Sequence, residues 1–507
     1  MTLPAQQPRS SHGWLNAAVP MMATAALLTG SIQLMGYTYA WPLWLSMVVL
    51  TVIGFSGMGI LLYAPGQITA WSVYGISIAL AYGFGTLNSM TSGYLDGSAM
   101  FLINFAGPNA LGLALGMMTL IVATMLFASH FDKNKIIPLQ SFTDSERSAA
   151  LVVLVATTAG TFIALATGQL GFGGVQTGST DTVLVSPLAS LITSCLTPVT
   201  GVAILAFANQ ERSRTRWIVI ALCLLLAGTQ VTQGRRLFLF NLLTLMMAFF
   251  AARGIKRFVT PRTIGILVLT LITVWGASRF FVSMRIAGYS LPQDASIGQR
   301  LEGAVDVIRN PEANGLDEHI EQNQSTRTFL VGYVGELIQA YERTGRTTGG
   351  DLLILNAASA FPTAIWPGKW RVIMSLGSDE IACHRAMGLP AWDAGNTVIT
   401  EGLCDFGWTG MLLYPVAVVG LLTLVNFAVR RMSIVIRALV AFATIKSLLG
   451  VEGVLTGYLV DLRNTTLLVV GTYLLIQAFS AIQKLPLMQH ARKQRLERLQ
   501  RQAAGGQ

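Results

Sequence analysis

Charge is what this chain of 507 residues has least of, with Asp, Glu, Lys and Arg together making up 11%. Soluble domains carry roughly 25%. A share this small excludes an ordinary soluble enzyme, a disordered chain and a nucleic-acid binder of the usual basic type. Cysteine is scarce too: four residues cannot staple a disulfide scaffold. The phosphate-cradling pattern Gly-x-x-x-x-Gly-Lys-Ser/Thr is missing, which argues against ATP-driven transport. Internal repeats are missing as well, and the only biased segment is a basic, Gln-rich tail.

What the chain does have is apolar length. Hydrophobic residues make up 53%, with 50 Gly and 23 Phe spread among them, and mean hydropathy is +0.58. Glycine is better tolerated in lipid-embedded helices than in soluble ones. An all-α polytopic membrane protein is expected.

A helix needs roughly 20 apolar residues to cross a hydrocarbon core, and about twelve runs qualify. They lie near Trp14–Met35, Tyr39–Tyr63, Ile68–Met90, Ala106–Ala128, Ala149–Gly168, Val183–Ala208, Trp217–Val231, Leu237–Ala252, Ile264–Val282, Trp408–Val429, Ile434–Gly450 and Asn464–Phe479. The first reads as an uncleaved span, because further spans follow it at once without a clear cleavage site.

The excess of 34 Lys and Arg over 24 Asp and Glu is unevenly placed. With both termini in the cytoplasm, the inner loops hold Lys133, Lys135 and Arg147, then Arg212, Arg214 and Arg216, then Arg253, Lys256, Arg257 and Arg262, then Arg430, Arg431 and Arg437. The outer loop Gln169–Thr182 has no Lys or Arg. This is the positive-inside pattern. The expected organisation is a cytoplasmic N-terminus (1–13), transmembrane helices (14–282), a large outer domain (283–407), further transmembrane helices (408–483) and a basic cytoplasmic tail (484–507). An outer stretch of that length should be folded and functional. Ile297, Leu301, Ala304, Val305 and Ile308 recur at helical spacing, as do Phe329, Leu330, Tyr333, Val334, Leu337, Ile338 and Tyr341. Two amphipathic helices lying over the membrane mouth are expected.

Some residues break the charge rule. Arg235 and Arg236, after Thr229-Gln-Val-Thr-Gln-Gly, sit on the outer side. Two guanidiniums there can clamp a phosphate or pyrophosphate, or else act as snorkelling anchors. Arg279 and Arg285 follow at the next outer helix end, with the same two roles open. Phe361-Pro-Thr-Ala-Ile-Trp-Pro-Gly-Lys-Trp-Arg joins a proline-fixed bend to interfacial Trp and to the cations Lys369 and Arg371. Glu401 and Asp405 precede a span, where a carboxylate can bind a sugar hydroxyl, act as a base or favour a helix N-terminus. His384 is a further acid–base candidate or a structural histidine. Cys383 and Cys404, the only Cys expected outside, are either bridged or two separate thiols. Asp379 and Glu380 lack His or Cys companions at ligand spacing, so no metal and no other cofactor is expected. Gly112 and Gly116 are spaced for helix packing.

The order of these features resembles the Wzy-type oligosaccharide repeat-unit polymerases, with which O-antigen ligases share much of their plan. It runs through a span, outer Thr-x-Gly-Arg-Arg, a span, an Arg-bearing helix end, a large outer domain, Phe-Pro…Trp-Pro-x-Lys, and Glu-(x)4-Phe-Gly-x-x-Gly entering a span. The resemblance covers roughly Thr229–Gly410. It implies a GT-C-like glycosyltransferase in the bacterial inner membrane, with its active site facing the periplasm. The substrates would be undecaprenyl-pyrophosphate-linked oligosaccharides, and a chain-length regulator and a flippase would be membrane partners. Arg235 and Arg236 would bind the pyrophosphate, aided by Arg279, Arg285, Lys369 and Arg371, while Glu401 or His384 would assist the acceptor. An O-antigen ligase, or a secondary transporter or flippase of lipid-linked oligosaccharide, are the alternatives.

Overall fold

In lipid, every backbone N–H and C=O must find its partner within the protein, which leaves a long apolar run only the helix. The computed structural model describes residues 13–91, 107–167, 187–208, 214–231, 235–253, 275–276, 279–288, 290–291, 297–320, 330–390 and 396–483, and these form helices with no strand among them. Eight helices are long and apolar enough to cross a membrane: Ala17–Met35, Ala40–Tyr63, Ala70–Ser89, Asn109–Phe131, Asp144–Ala166, Ser190–Phe207, Val398–Arg431 and Leu455–Ala481. Arg214–Val231, Arg235–Arg253 and Ile434–Leu449 are helices that fall short of those criteria. The expected span at 264–282 lies mostly outside the described residues.

Small residues let these helices approach closely. Gly112 and Gly116, on helix Pro108–Phe131, face helix Gly13–Met35; a Cβ on Gly112 would stand 2.5 Å from the Tyr37 carbonyl oxygen.

The cationic segments meet at one end of the bundle. Glu146 closes a capping box on helix Asp144–Ala166 by accepting from the Thr143 N–H at 2.9 Å. Its second oxygen accepts from the Ile434 N–H at 3.1 Å, joining the starts of two helices. Arg437 donates to Gln140 at 3.0 Å, Ile136 N–H to the Ile68 carbonyl at 3.0 Å, and Arg253 to the Ala208 carbonyl at 2.9 Å. At the other end the Val398 N–H donates to the Gly453 carbonyl at 3.1 Å, joining the starts of the last two long helices.

Helix Leu330–Thr344 is more buried than a single apolar stripe implies. Ten of its residues, from Leu330 to Ala340, are buried on all sides, and it packs against helix Pro108–Phe131 and the 398–428 corner. Helix Ile297–Arg309 keeps Leu301, Val305 and Ile308 exposed and buries Ala304 and Val307. Apolar helix Asp351–Ala360 packs beside helix Leu455–Gln483. The expected boundary at 407/408 falls inside one element, and the last helix starts nine residues before the expected Asn464.

Candidate functional site

The site is built on a broken helix. Thr397 caps it, its hydroxyl accepting from the Thr400 N–H at 3.2 Å. Nine residues after Thr397, Phe406 (φ −135°) and Gly407 (φ +62°) leave helical geometry, and the chain folds back before continuing to Ala428. The two arms touch through glycine: a Cβ on Gly410 would lie 1.9 Å from the Gly402 carbonyl oxygen. Gly407 needs its left-handed backbone, and a Cβ there would also meet the Tyr341 hydroxyl at 2.5 Å.

Both carboxylates in the first arm cap other helices. Asp405, fully buried, accepts from the Leu352 N–H at 3.1 Å and the Leu353 N–H at 3.0 Å, at the N-terminus of helix Asp351–Ala360. The Thr348 and Tyr414 hydroxyls also donate to it. Glu401, 1% exposed, accepts from the Leu455 N–H at 2.7 Å, at the start of the last helix, and from Asn356 at 3.0 Å. Asn356 in turn accepts from the Thr456 N–H at 3.0 Å. Orphan N–H groups and the helix dipole both favour an anion at such positions. Each Glu401 oxygen thus accepts one of the chain's own donors, which gives the carboxylate a positioning task at the start of the last helix.

The cap sets what lies below it. Two turns along the last helix, Arg463 donates to the Ala360 carbonyl at 2.8 Å and to Asn464 at 3.2 Å. Lys369, 8% exposed, donates to the Phe361 carbonyl at 2.7 Å. Two cations thus converge on the C-terminal carbonyls of helix Asp351–Ala360, where its dipole favours them. Desolvation, and then the neighbouring Arg463, lower the Lys369 pKa. Among the described residues neither cation is ion-paired to a carboxylate. Around them Phe361, Ile365, Trp370 and Met374 are exposed.

A separate polar group lies deeper. Lys446 pairs with Asp461 at 2.9 Å, and Asp461 also accepts from Ser447 at 2.9 Å and Ser194 at 2.8 Å. Asn464 donates to Ser194 at 3.0 Å.

The remaining sequence candidates are dispersed. Arg279 pairs with Asp317 at 2.7 Å and stacks over Trp275, and Arg285 is half-buried on the helical stretch 279–288. Arg371 is exposed in the first turn of helix Lys369–Leu376. Arg235 and Arg236 open helix Arg235–Arg253, with side chains outside the described residues. His384, 1% exposed, shares a 2.9 Å hydrogen bond with Tyr333, and burial lowers its pKa although a bond with the Pro390 backbone opposes this. Burial likewise pushes the Tyr333 hydroxyl well up. Cys383 and Cys404 are joined in a disulfide with Cα atoms 5.6 Å apart, tying helix Asp379–Met387 to the broken helix.

Arg463, Lys446, Asp461 and Asn464 were not among the sequence candidates. Their signal was Lys446 inside one apolar run and Asp461-Leu-Arg463-Asn464 inside the next, since ionisable groups at membrane depth often mark function. Starting the last span at Asn464 placed Asp461 and Arg463 outside it.

Comparison of the chain with protein-family models, curated proteins and solved structures gives no significant match.

Proposed function

We propose that the protein is a bacterial inner-membrane glycosyltransferase that polymerises undecaprenyl-pyrophosphate-linked oligosaccharide repeat units on the periplasmic side. The observation that carries this reading is the pair Lys369 and Arg463, two cations without a carboxylate partner among the described residues, set beside exposed apolar side chains. An amphiphile with a phosphate head and a hydrocarbon tail complements both features. Counting Arg214–Val231, Arg235–Arg253, 264–282 and Ile434–Leu449 as spans alongside the eight long helices brings the total to about twelve. The cationic end then faces the cytoplasm, and the end with the disulfide faces an oxidising periplasm.

In the reaction, the bond between the donor's anomeric carbon and its pyrophosphate oxygen breaks. The lipid pyrophosphate leaves with the bonding electrons, and an acceptor hydroxyl oxygen takes its place on carbon while its proton passes to the departing pyrophosphate or to solvent. Charge grows on the departing oxygen, and fixed cations stabilise it most in a water-poor site. Lys369 and Arg463 are assigned that role, with Arg235 and Arg236, at an outer helix start, as further contacts. Glu401 holds the last helix so that Arg463 is in place.

The test is extension of a lipid-linked repeat unit by the purified protein, paired with the surface glycan of a deletion strain. Arg463→Ala or Lys369→Ala should cut extension by roughly 30- to 1000-fold, equivalent to about 2–4 kcal/mol of transition-state stabilisation. The deletion strain should show its glycan ladder collapsed to one repeat unit. Full-length chains unattached to lipid A would indicate a ligase instead. The Lys446–Asp461 pair on the last two helices favours a second reading, transport of the lipid-linked unit, because buried charge pairs line many substrate pathways. Accumulation of that unit in the cytoplasm would establish it.

A further inference from the structure

A cavity of about 350 Å³ lies at the cationic end of the bundle, opposite the site above. It is framed by four span ends: Val19 and Met22 from the first, Ile60 and Leu61 from the second, Ser72 and Ile76 from the third, and Leu126, Ser129 and His130 from the fourth. Its position is therefore the level at which hydrocarbon gives way to headgroups. The chemistry is divided in the same way: one wall is aliphatic, while Gln67, Ser129, His130 and Lys135 supply the polar part.

Lys135 is the decisive residue. Its ammonium donates only to the Asp132 backbone carbonyl, at 3.3 Å, and no ion pair holds it among the described residues. The Asp132 carboxylate attracts it, Oδ1 accepting from the Asn134 N–H at 2.7 Å while the buried Oδ2 has no hydrogen-bond partner among the described residues. Partial desolvation lowers the Lys135 pKa, a cost that an arriving anion would offset.

We infer that this cavity binds an anionic phospholipid of the cytoplasmic leaflet, its phosphate on Lys135 and His130 and an acyl chain along Val19, Ile60 and Leu126. Charge complementarity selects the headgroup, and the aliphatic wall selects a lipid over free phosphate.

Native mass spectrometry of the full-length protein, released from micelles containing phosphatidylglycerol, phosphatidylcholine or inorganic phosphate, tests this. The wild type should retain phosphatidylglycerol in preference to phosphatidylcholine and should retain no free phosphate. Lys135→Gln should lower phosphatidylglycerol occupancy about fivefold, the worth of one cation near an anionic surface. Lys135→Arg should restore it, and Lys133→Gln, on the same loop but outside the cavity, should leave it unchanged. Equal retention of both lipids, retention of phosphate alone, or unchanged occupancy in Lys135→Gln would overturn the inference. So would an equal loss in Lys133→Gln, which would reduce the effect to general surface charge.

Discussion

At the scale of single residues, the buried carboxylates do most to hold the site. Asp405 gathers four donors, two of them backbone N–H groups at a helix start. Asp405→Ala leaves those donors buried without an acceptor, and about 3 kcal/mol of stability should go with them. Thermal unfolding in micelles measures this, with Asp351→Asn, an exposed change on the same helix, as the control. His384 gives a pH signature. Its native pKa is lowered chiefly by burial, so below about pH 6.5 the unfolded chain takes up a proton that the native state resists. Stability should therefore fall as pH drops from about 7 to 5. His384→Gln should flatten that slope, and a slope unchanged in the variant would remove His384 as its source. The sequence made the residue types at these positions visible but not their tasks. Glu401 reads as a base or cap from its neighbours, and only the approach of Leu455 shows that it caps a helix starting 54 residues later.

At the scale of elements, the broken helix sets the geometry. Its arms can pack only because Gly402 and Gly410 carry no side chain. Gly410→Ala should separate the arms and reduce both stability and extension activity, whereas Gly420→Ala, with nothing within 4 Å, should be neutral. Equal melting temperatures for the two variants would deny the corner its structural role. Sequence periodicity located most long helices well, because an apolar run of sufficient length has few alternatives in lipid. It failed at Asn464, where charge inside the last helix looked like its end. It failed again for helix Leu330–Thr344, whose apolar stripe announced one buried face while the fold buried ten of its fifteen residues. Periodicity reports a helix's own pattern, not how many neighbours surround it.

At the scale of the molecule, the proposed orientation rests on charge and covalent chemistry together. The cationic segments share one end, and the disulfide lies on the helix that starts from the other. Single-cysteine labelling in intact cells should therefore modify position 315 from outside and position 133 only after permeabilisation. Labelling of both from the same side would overturn the proposed orientation. That the chain folds into long apolar helices was legible because lipid leaves an apolar run few alternatives. The Lys369–Arg463 pair was not, since its members lie 94 positions apart in sequence and meet only through helix Asp351–Ala360.

The order of synthesis follows from the same caps. A chain is made from its N-terminus, so Asn356 and Glu401 emerge and wait for donors at 455 and 456 that do not yet exist. Until the final helix is threaded, Glu401 and Asn356 have only each other and lack the donors of residues 455 and 456, and the corner they anchor is incomplete. Completion of the site is thereby tied to completion of the chain, and a protein cut short before its last helix would be an unfinished fold open to proteolysis rather than a weaker enzyme.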